Sequence, residues 1–492
     1  MLSRFIAASI CIVLALGSAR AESPHPTLLI ELGTLTDAQM REVLGIFSGP
    51  REDAVASVMH NRPLLVVTQA EALLLRERGF AFAELMRDTS LVQLYRRALY
   101  GPTLQMPKAY HSYREILATV DSLASQHPGL VRRFEIGRTS QEDQPIVAVS
   151  VTSSVHPNVE KPSVLLNGCH HADEVMGAEI CLAALRELVT RYGSDSAATA
   201  WVDRLEIIIV PVVNVDGYGV VTSGLDPRWR KNTRDTNGNG ILHEYPEGVD
   251  LNRNYDFNWA HGGSGDSSSV RYRGKFPMSE LENQTIDRLA AAYRFLLSIT
   301  YHSQGEVIYY PWSWRGRPAP DDRLLTEIAR ELAGSIATMN GDTCYRAEYG
   351  AGTVGQSYPF LYGRYGVLDF VVETGRGAHI FPEAEMPEII ASNLEGVWTL
   401  LHRAAGPGIA LRVTDQLTGE PLDATVWFPD IDTEDIDRRS TQPLTGRHWR
   451  LLLPGQHRLI ISREGYDPVL LERVDVRPDG WTALDVALRP SQ

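Results

Sequence analysis

Between residues 107 and 403, hydrophobic positions follow two alternating rhythms. Runs at 146–151, 163–166, 205–213, 295–300 and 367–372 are short and rich in Val, Ile and Leu. Several are apolar on both faces, the pattern of strands buried in a mostly parallel sheet. Between them, 113–126, 175–192, 280–293, 321–339 and 387–405 place apolar residues at helical spacing. This order predicts an α/β architecture: a mixed, mostly parallel sheet with helices on both faces.

Two flanking regions break the rhythm. Upstream, 28–32, 63–67 and 80–85 read as strands, Thr36 and Asp37 as a helix cap for a run to 47, and 68–78 as a second helix. The order β-α-(β)-β-α-β predicts a small N-terminal α/β unit, an open sandwich. From about residue 406, short alternating segments appear at 409–414, 424–428, 448–453, 456–462 and 482–488. Gly and Pro turns separate them, which predicts a C-terminal all-β sandwich of ordinary small-domain size. The expected division is 1–21, 22–105, 106–405 and 406–492.

The first segment reads as a signal peptide. Arg4 precedes an apolar stretch at 5–16, and Ala19-Arg20-Ala21 offers an Ala-x-Ala cleavage site. The stretch falls short of the roughly 20 residues that span a bilayer. No later run is longer, so the expectation is a secreted or periplasmic protein with no integral membrane segment. The 492 residues are enough for two to four domains, and 43% hydrophobic content supports sizeable cores. A formal charge of −14 excludes a general nucleic-acid binder and docking on anionic lipid. Cleavage after Ala21 removes Arg4 and Arg20 and makes the charge −16. Three cysteines then remain, Cys169, Cys181 and Cys344, enough for one disulfide and one free thiol.

Candidate chemistry begins where the 163–166 strand ends. His171 and Glu174 lie near a helix start, three positions apart, and can face one side. Imidazole and carboxylate are zinc ligands, and a catalytic zinc takes three protein ligands plus water. His-x-x-Glu alone fits an ordinary helix start equally well. His302, at the end of another strand, supplies a third ligand, and Glu373, ending the 367–372 strand, a general base.

In order, these residues and their neighbours resemble the zinc metallocarboxypeptidases related to carboxypeptidase A, over residues 110–400. Tyr110 to Tyr113, His127-Pro128 and Ile136 to Thr139 match the opening helix and strand. Asn214-Val215-Asp216-Gly217 stands where the family has Asn-Pro-Asp-Gly. The resemblance implies one Zn2+ held by His171, Glu174 and His302, and Glu373 as the catalytic glutamate. It implies that Arg230, in Trp229-Arg230-Lys231, polarises the scissile carbonyl. Asn252 and Arg253 grip a terminal carboxylate, so the expected substrate is a peptide or protein C-terminus. Tyr349, or alternatively Tyr345, matches the mobile tyrosine that caps the substrate, and Tyr358 the pocket base. No acid stands at that base, which predicts a hydrophobic or aromatic C-terminal preference. Relatives often carry arginine where this chain has Asp173.

Asp235, Asn237 and Asn239 with Gly240 resemble half of a calcium loop, although its twelfth position is Pro246; the alternative is an Asx-rich turn. Val413 to Asp415, Thr418 to Leu422, Pro454-Gly455 and Gly465-Tyr466 resemble transthyretin-like domains. The N-terminal unit is either a pro-segment released at Arg96-Arg97 or a permanent accessory domain. Rival functions are a cell-wall peptide hydrolase on the same scaffold and an inactive binding module. Cys169 beside His170 is more simply packing than a nucleophile.

Overall fold

The computed structural model describes residues 27–36, 55–59, 62–87, 106–153, 160–238, 246–350 and 354–491, with isolated positions between 38 and 43. The signal peptide, Arg96-Arg97 and Asn239 lie outside the described residues.

The N-terminal unit is a four-stranded antiparallel sheet, β2-β3-β1-β4. Its strands are β1 (Thr27–Leu32), β2 (Val55–Met59), β3 (Arg62–Thr68) and β4 (Phe82–Arg87). Helix α1 (Gln69–Glu77) lies on β3 and β1, and Ile30, Leu65 and Leu75 are fully buried in a separate small core.

The central unit then runs α2 (Tyr113–Gln126), β5 (Val131–Arg138), β6 (Pro145–Val151), β7 (Ser163–Gly168), α3 (Met176–Arg191), α4 (Ser196–Arg204), β8 (Glu206–Val210) and α5 (Val215–Thr222). After a long loop it continues with α6 (Leu281–Tyr293), β9 (Leu297–His302), β10 (Val307–Tyr310), a small hairpin of β11 (Ser313–Trp314) and β12 (Arg317–Pro318), and α7 (Asp322–Ser335). It ends with β13 (Arg346–Tyr349), α8 (Ser357–Tyr365), β14 (Leu368–Glu373) and α9 (Met386–Arg403). The sheet order is β13-β10-β14-β9-β7-β8-β6-β5. Its centre, β14-β9-β7-β8, is parallel, and β10, β6 and β5 join antiparallel. The mixed α/β sheet read from the sequence is therefore the one observed.

Physical reasons for the elements are local. Helix α2 opens with a capping box in which Ser112 and Glu115 satisfy each other's backbone N–H groups. The inner strands β7, β8 and β9 are buried along their whole length, and within β7 and β8 the runs Val164–Leu166 and Ile207–Val210 are continuously apolar. Helix α7 stops at Ser335, short of the expected 339, because Ala337 enters a bridge with Cys344.

The C-terminal unit is a pair of sheets. One is β18 (Arg447–Leu451), β15 (Gly408–Asp415) and β21 (Trp481–Leu488). The other is β17 (Arg439–Ser440), β16 (Thr425–Trp427), β19 (Gly455–Ser462) and β20 (Val469–Val476). Ile409, Leu411, Val426, Phe428, Leu459 and Ile461 fill the space between them. The unit docks on the central unit through buried ion pairs. Asp321 takes Arg439 and Arg450, both at 3.1 Å, and Arg450 also meets Asp432 at 2.7 Å.

Candidate metal centre

Strands β7, β9 and β14 are parallel neighbours. The chain leaves β7 to build β8 on one side, then returns to build β9 on the other. In open α/β sheets, ligands bind beyond the carboxyl ends of strands at such a switch point. His302 ends β9 and is level with Glu373, which ends β14. Past Gly168, Cys169 takes a left-handed conformation (φ 57°) and redirects the chain so that His171 faces the same end. The strand and the following helix nearly touch here. A Cβ on Gly168 would lie 2.9 Å from the Gly177 backbone, and one on Gly177 would lie 2.9 Å from Tyr301 Cβ. The glycines let α3 sit down on β7 and β9 and bring Glu174 to the two imidazoles.

The three expected ligands converge in a buried cluster. His171 Nδ1 lies 2.7 Å from Glu174 Oε1, and His302 Nδ1 lies 2.6 Å from Glu174 Oε2. The two Nδ1 atoms are 3.0 Å apart. Donor separations in a tetrahedral zinc site with bonds of about 2 Å are roughly 3.3 Å, a few tenths of an ångström wider than here, and two imidazoles with one carboxylate suit zinc in kind. The other ring nitrogens face polar partners. His171 Nε2 lies 3.2 Å from Asp250 Oδ1, and His302 Nε2 lies 3.0 Å from the Asn252 amide nitrogen. His171 thus faces its outer nitrogen to a carboxylate and holds Nδ1 inward, the arrangement that metal-binding histidines favour, whereas the neighbour of His302 Nε2 is an amide N–H donor. Burial works against the Glu174 carboxylate, but His171 and His302 outweigh it and hold the group well below its ordinary range.

Arg230 lies over this cluster. Its Nε and Nη2 each donate to Asp250 Oδ2 at 3.2 Å, and its Nη1 is 3.5 Å from Glu174 Oε1. Asn252 and Arg253 occupy a short 3-10 turn, Leu251–Arg253, and both are buried. Asn252 Oδ1 accepts the Ser357 N–H at 2.9 Å, which ties the turn to α8 and its Tyr358. Asn214 connects the loops. Its side-chain amide donates to the carbonyls of His170 (3.2 Å) and Lys231 (3.1 Å), and its Oδ1 accepts the Gly217 N–H.

Other expected residues are placed elsewhere. Tyr349 sits on the edge strand β13, where its hydroxyl donates to Asp322 Oδ1 at 2.5 Å and its ring meets Tyr310. Pairing with β10 holds it at the sheet's rim. The Tyr345 hydroxyl accepts the Gly375 N–H, two residues beyond Glu373. Tyr358 is buried, with its ring against Gly350. Asp235 Oδ1 accepts the Gly238 N–H at 2.6 Å, the alternative Asx turn. Asp235 belongs to no metal-capable group among the described residues, and calcium has no support. Cys169, Cys181 and Cys344 are all free, so the one disulfide that their number allows is not formed. Burial raises the Cys169 thiol well above its usual range, which suits packing rather than catalysis.

Two contacts escaped the sequence reading. Asp250 joins His171 to Arg230; its place two residues before Asn252 in the same motif was the available signal. Asp173 Oδ2 pairs with His379 Nδ1 at 2.7 Å beside Glu174, a contact between residues far apart in the chain.

A family model described as zinc carboxypeptidase matches residues 116–396. Carboxypeptidase A2 of Rattus norvegicus is 27% identical over 327 residues, 64% of this chain and 75% of the relative. Carboxypeptidase B of Bos taurus is 29% identical over 290 residues, 56% of this chain and 66% of the relative. The crystal structure of carboxypeptidase A from Helicoverpa armigera superposes with a TM-score of 0.56 at 20% identity, covering 78% of this chain and 98% of that one, a likeness of fold.

Proposed function

The chain belongs to the zinc carboxypeptidase family and is a metallocarboxypeptidase, and we propose that His171, Glu174 and His302 hold its zinc while Glu373 serves as general base in removing C-terminal residues. The observation that carries this reading is the meeting of two imidazoles and one carboxylate from distant segments, with Glu373 on the adjacent strand end. Zinc held there would supply Lewis acidity and lower the pKa of a bound water to about 7. Glu373 takes the proton of the attacking water and delivers it to the leaving amine nitrogen. The Arg230 guanidinium faces the carbonyl oxygen as negative charge develops on it, a role commonly worth about 3–4 kcal/mol. Asp250 fixes the His171 ring and the Arg230 fork together. Arg253 offers the substrate's terminal carboxylate a planar, bidentate fork, with Asn252 beside it. Tyr358, with no acid beside it in the sequence motif, makes the side-chain pocket hydrophobic. Release of C-terminal Phe should exceed release of Lys from matched peptides; a clear Lys preference contradicts this.

The reading extends to the flanks. Residues 1–21 act as a signal peptide and send the enzyme to a secreted or periplasmic location. Residues 22–105 form a pro-segment cut at Arg96-Arg97, and 406–492 a transthyretin-like accessory domain. N-terminal sequencing of the secreted active protein tests both processing sites.

The function itself is tested by mass spectrometry of a peptide digest with and without a zinc chelator. Stepwise loss of C-terminal residues that stops with chelator is the expected result. Internal cleavage, or trimming that the chelator leaves untouched, contradicts it.

A further inference from the structure

A second site lies at the opposite end of the sheet from the metal cluster. Ser163, Glu206, Leu296 and Leu368, at or next to the amino ends of β7, β8, β9 and β14, form one wall of a cavity of about 330 Å³. Strands β17 and β18 of the C-terminal sandwich form the other. β14 alone separates this cavity from Glu373 by about 17 Å, at roughly 3.3 Å per residue.

The cavity's charge runs against that of the protein. Seven cationic side chains line it against three carboxylates, in a chain whose net charge is −14. One of the carboxylates, Asp321, is already shared between Arg439 and Arg450. Arg294, Arg438 and Arg447 have no carboxylate at ion-pair distance among the described residues; Arg294 donates to the carbonyls of Ser440 and Thr441. Four buried N–H groups on this wall also have no acceptor: Arg439 Nε, Arg447 Nε, Trp449 Nε1 and Arg450 Nε. Buried donors without acceptors are uncommon, and each costs desolvation free energy. His448 reports the same field: burial first, then Arg450, Arg439 and Arg294, push its imidazole down to about 3, so it stays neutral.

We propose that this cavity between the catalytic unit and the sandwich binds a small multivalent oxyanion, phosphate-bearing or polycarboxylate, with Arg447, Arg438 and Arg294 as its principal ligands. Guanidinium forks match both chemistries, and surplus positive charge selects a multivalent partner. The volume sits at the lower end of small-molecule sites and excludes a polymer. A bound anion touches both units and so stabilises their docking by mass action. Nothing in this depends on the roles assigned to the metal-site residues.

The test is isothermal titration of the full-length, zinc-loaded protein with inorganic phosphate and, separately, with tricarballylate, alongside melting temperatures. Saturable binding that raises the melting temperature is expected with at least one probe, and the tighter probe identifies the ligand class. Arg447→Gln should weaken it at least tenfold while kcat/KM on peptides stays unchanged. Arg438→Gln, at an exposed position, gives a second variant that leaves folding intact and should also weaken it. Arg253→Gln should leave it unaltered. The proposal is overturned if neither probe binds saturably, or if Arg253→Gln abolishes binding that Arg447→Gln and Arg438→Gln retain.

Discussion

Glu373 and Asp250 divide the work at the metal site in ways that separate experimentally. Replacing Glu373 by Gln removes the proton carrier and keeps the shape. kcat should fall about 10²–10⁴-fold with zinc content unchanged by metal analysis; retention of full activity contradicts the assignment. Asp250→Asn acts one step further out. It weakens the acceptor for His171 Nε2 and for Arg230, so zinc affinity should drop about 10–100-fold. A competition assay against a chelating dye measures this, and an unchanged zinc affinity contradicts it. At this scale the sequence marked the three residues that converge, because each stands in a short motif and the motifs keep their order. It did not carry Asp250's link to His171 or Asp173's contact with His379. Those are made by segments that meet only after folding. Tyr349, selected by its spacing from Glu373, pairs through β13 with β10 at the sheet's rim, a placement that spacing alone does not contain.

Among the elements, the strands that showed clearly in the hydrophobic pattern are those buried on both faces, β6 to β9 and β14. Those that did not show are short or face solvent. β10 has 4 residues, β13 is exposed at the rim, and β20 has mixed burial along its length. Their pairing depends on neighbours supplied by the rest of the fold, which a local pattern does not contain. The junction of α3 with β7 and β9 shows how element packing reaches the chemistry. Gly177→Ala forces a Cβ to within 2.9 Å of Tyr301 Cβ, next to His302. Overpacking of this kind typically costs about 1–3 kcal/mol. We expect a lower melting temperature together with weaker zinc binding. An unchanged melting temperature would show that the close approach is slack.

For the molecule as a whole, docking of the sandwich rests on Asp321. Burial pushes its carboxyl up, but Arg450 and Arg439 outweigh this and hold it down at about 2 against an ordinary 3.8. The folded pKa lies below the unfolded one, so the pairing stabilises fully above about pH 4 and is lost as pH falls towards 2. At about 1.4 kcal/mol per pKa unit this is worth roughly 2–3 kcal/mol. Melting temperature followed from pH 5 to pH 2 should fall more steeply in the native protein than in Asp321→Asn, which should be destabilised throughout because it leaves two buried arginines short of charge. Parallel pH profiles would contradict this. The catalytic unit makes the larger claim: residues 171, 174 and 302, brought together by a crossover in the sheet, form one metal site. Calorimetric titration of zinc into chelator-stripped protein tests it most directly. The account predicts one zinc per chain, lost in His171→Ala and in His302→Ala. Tight zinc binding that survives both substitutions, or none in the native chain, would contradict it.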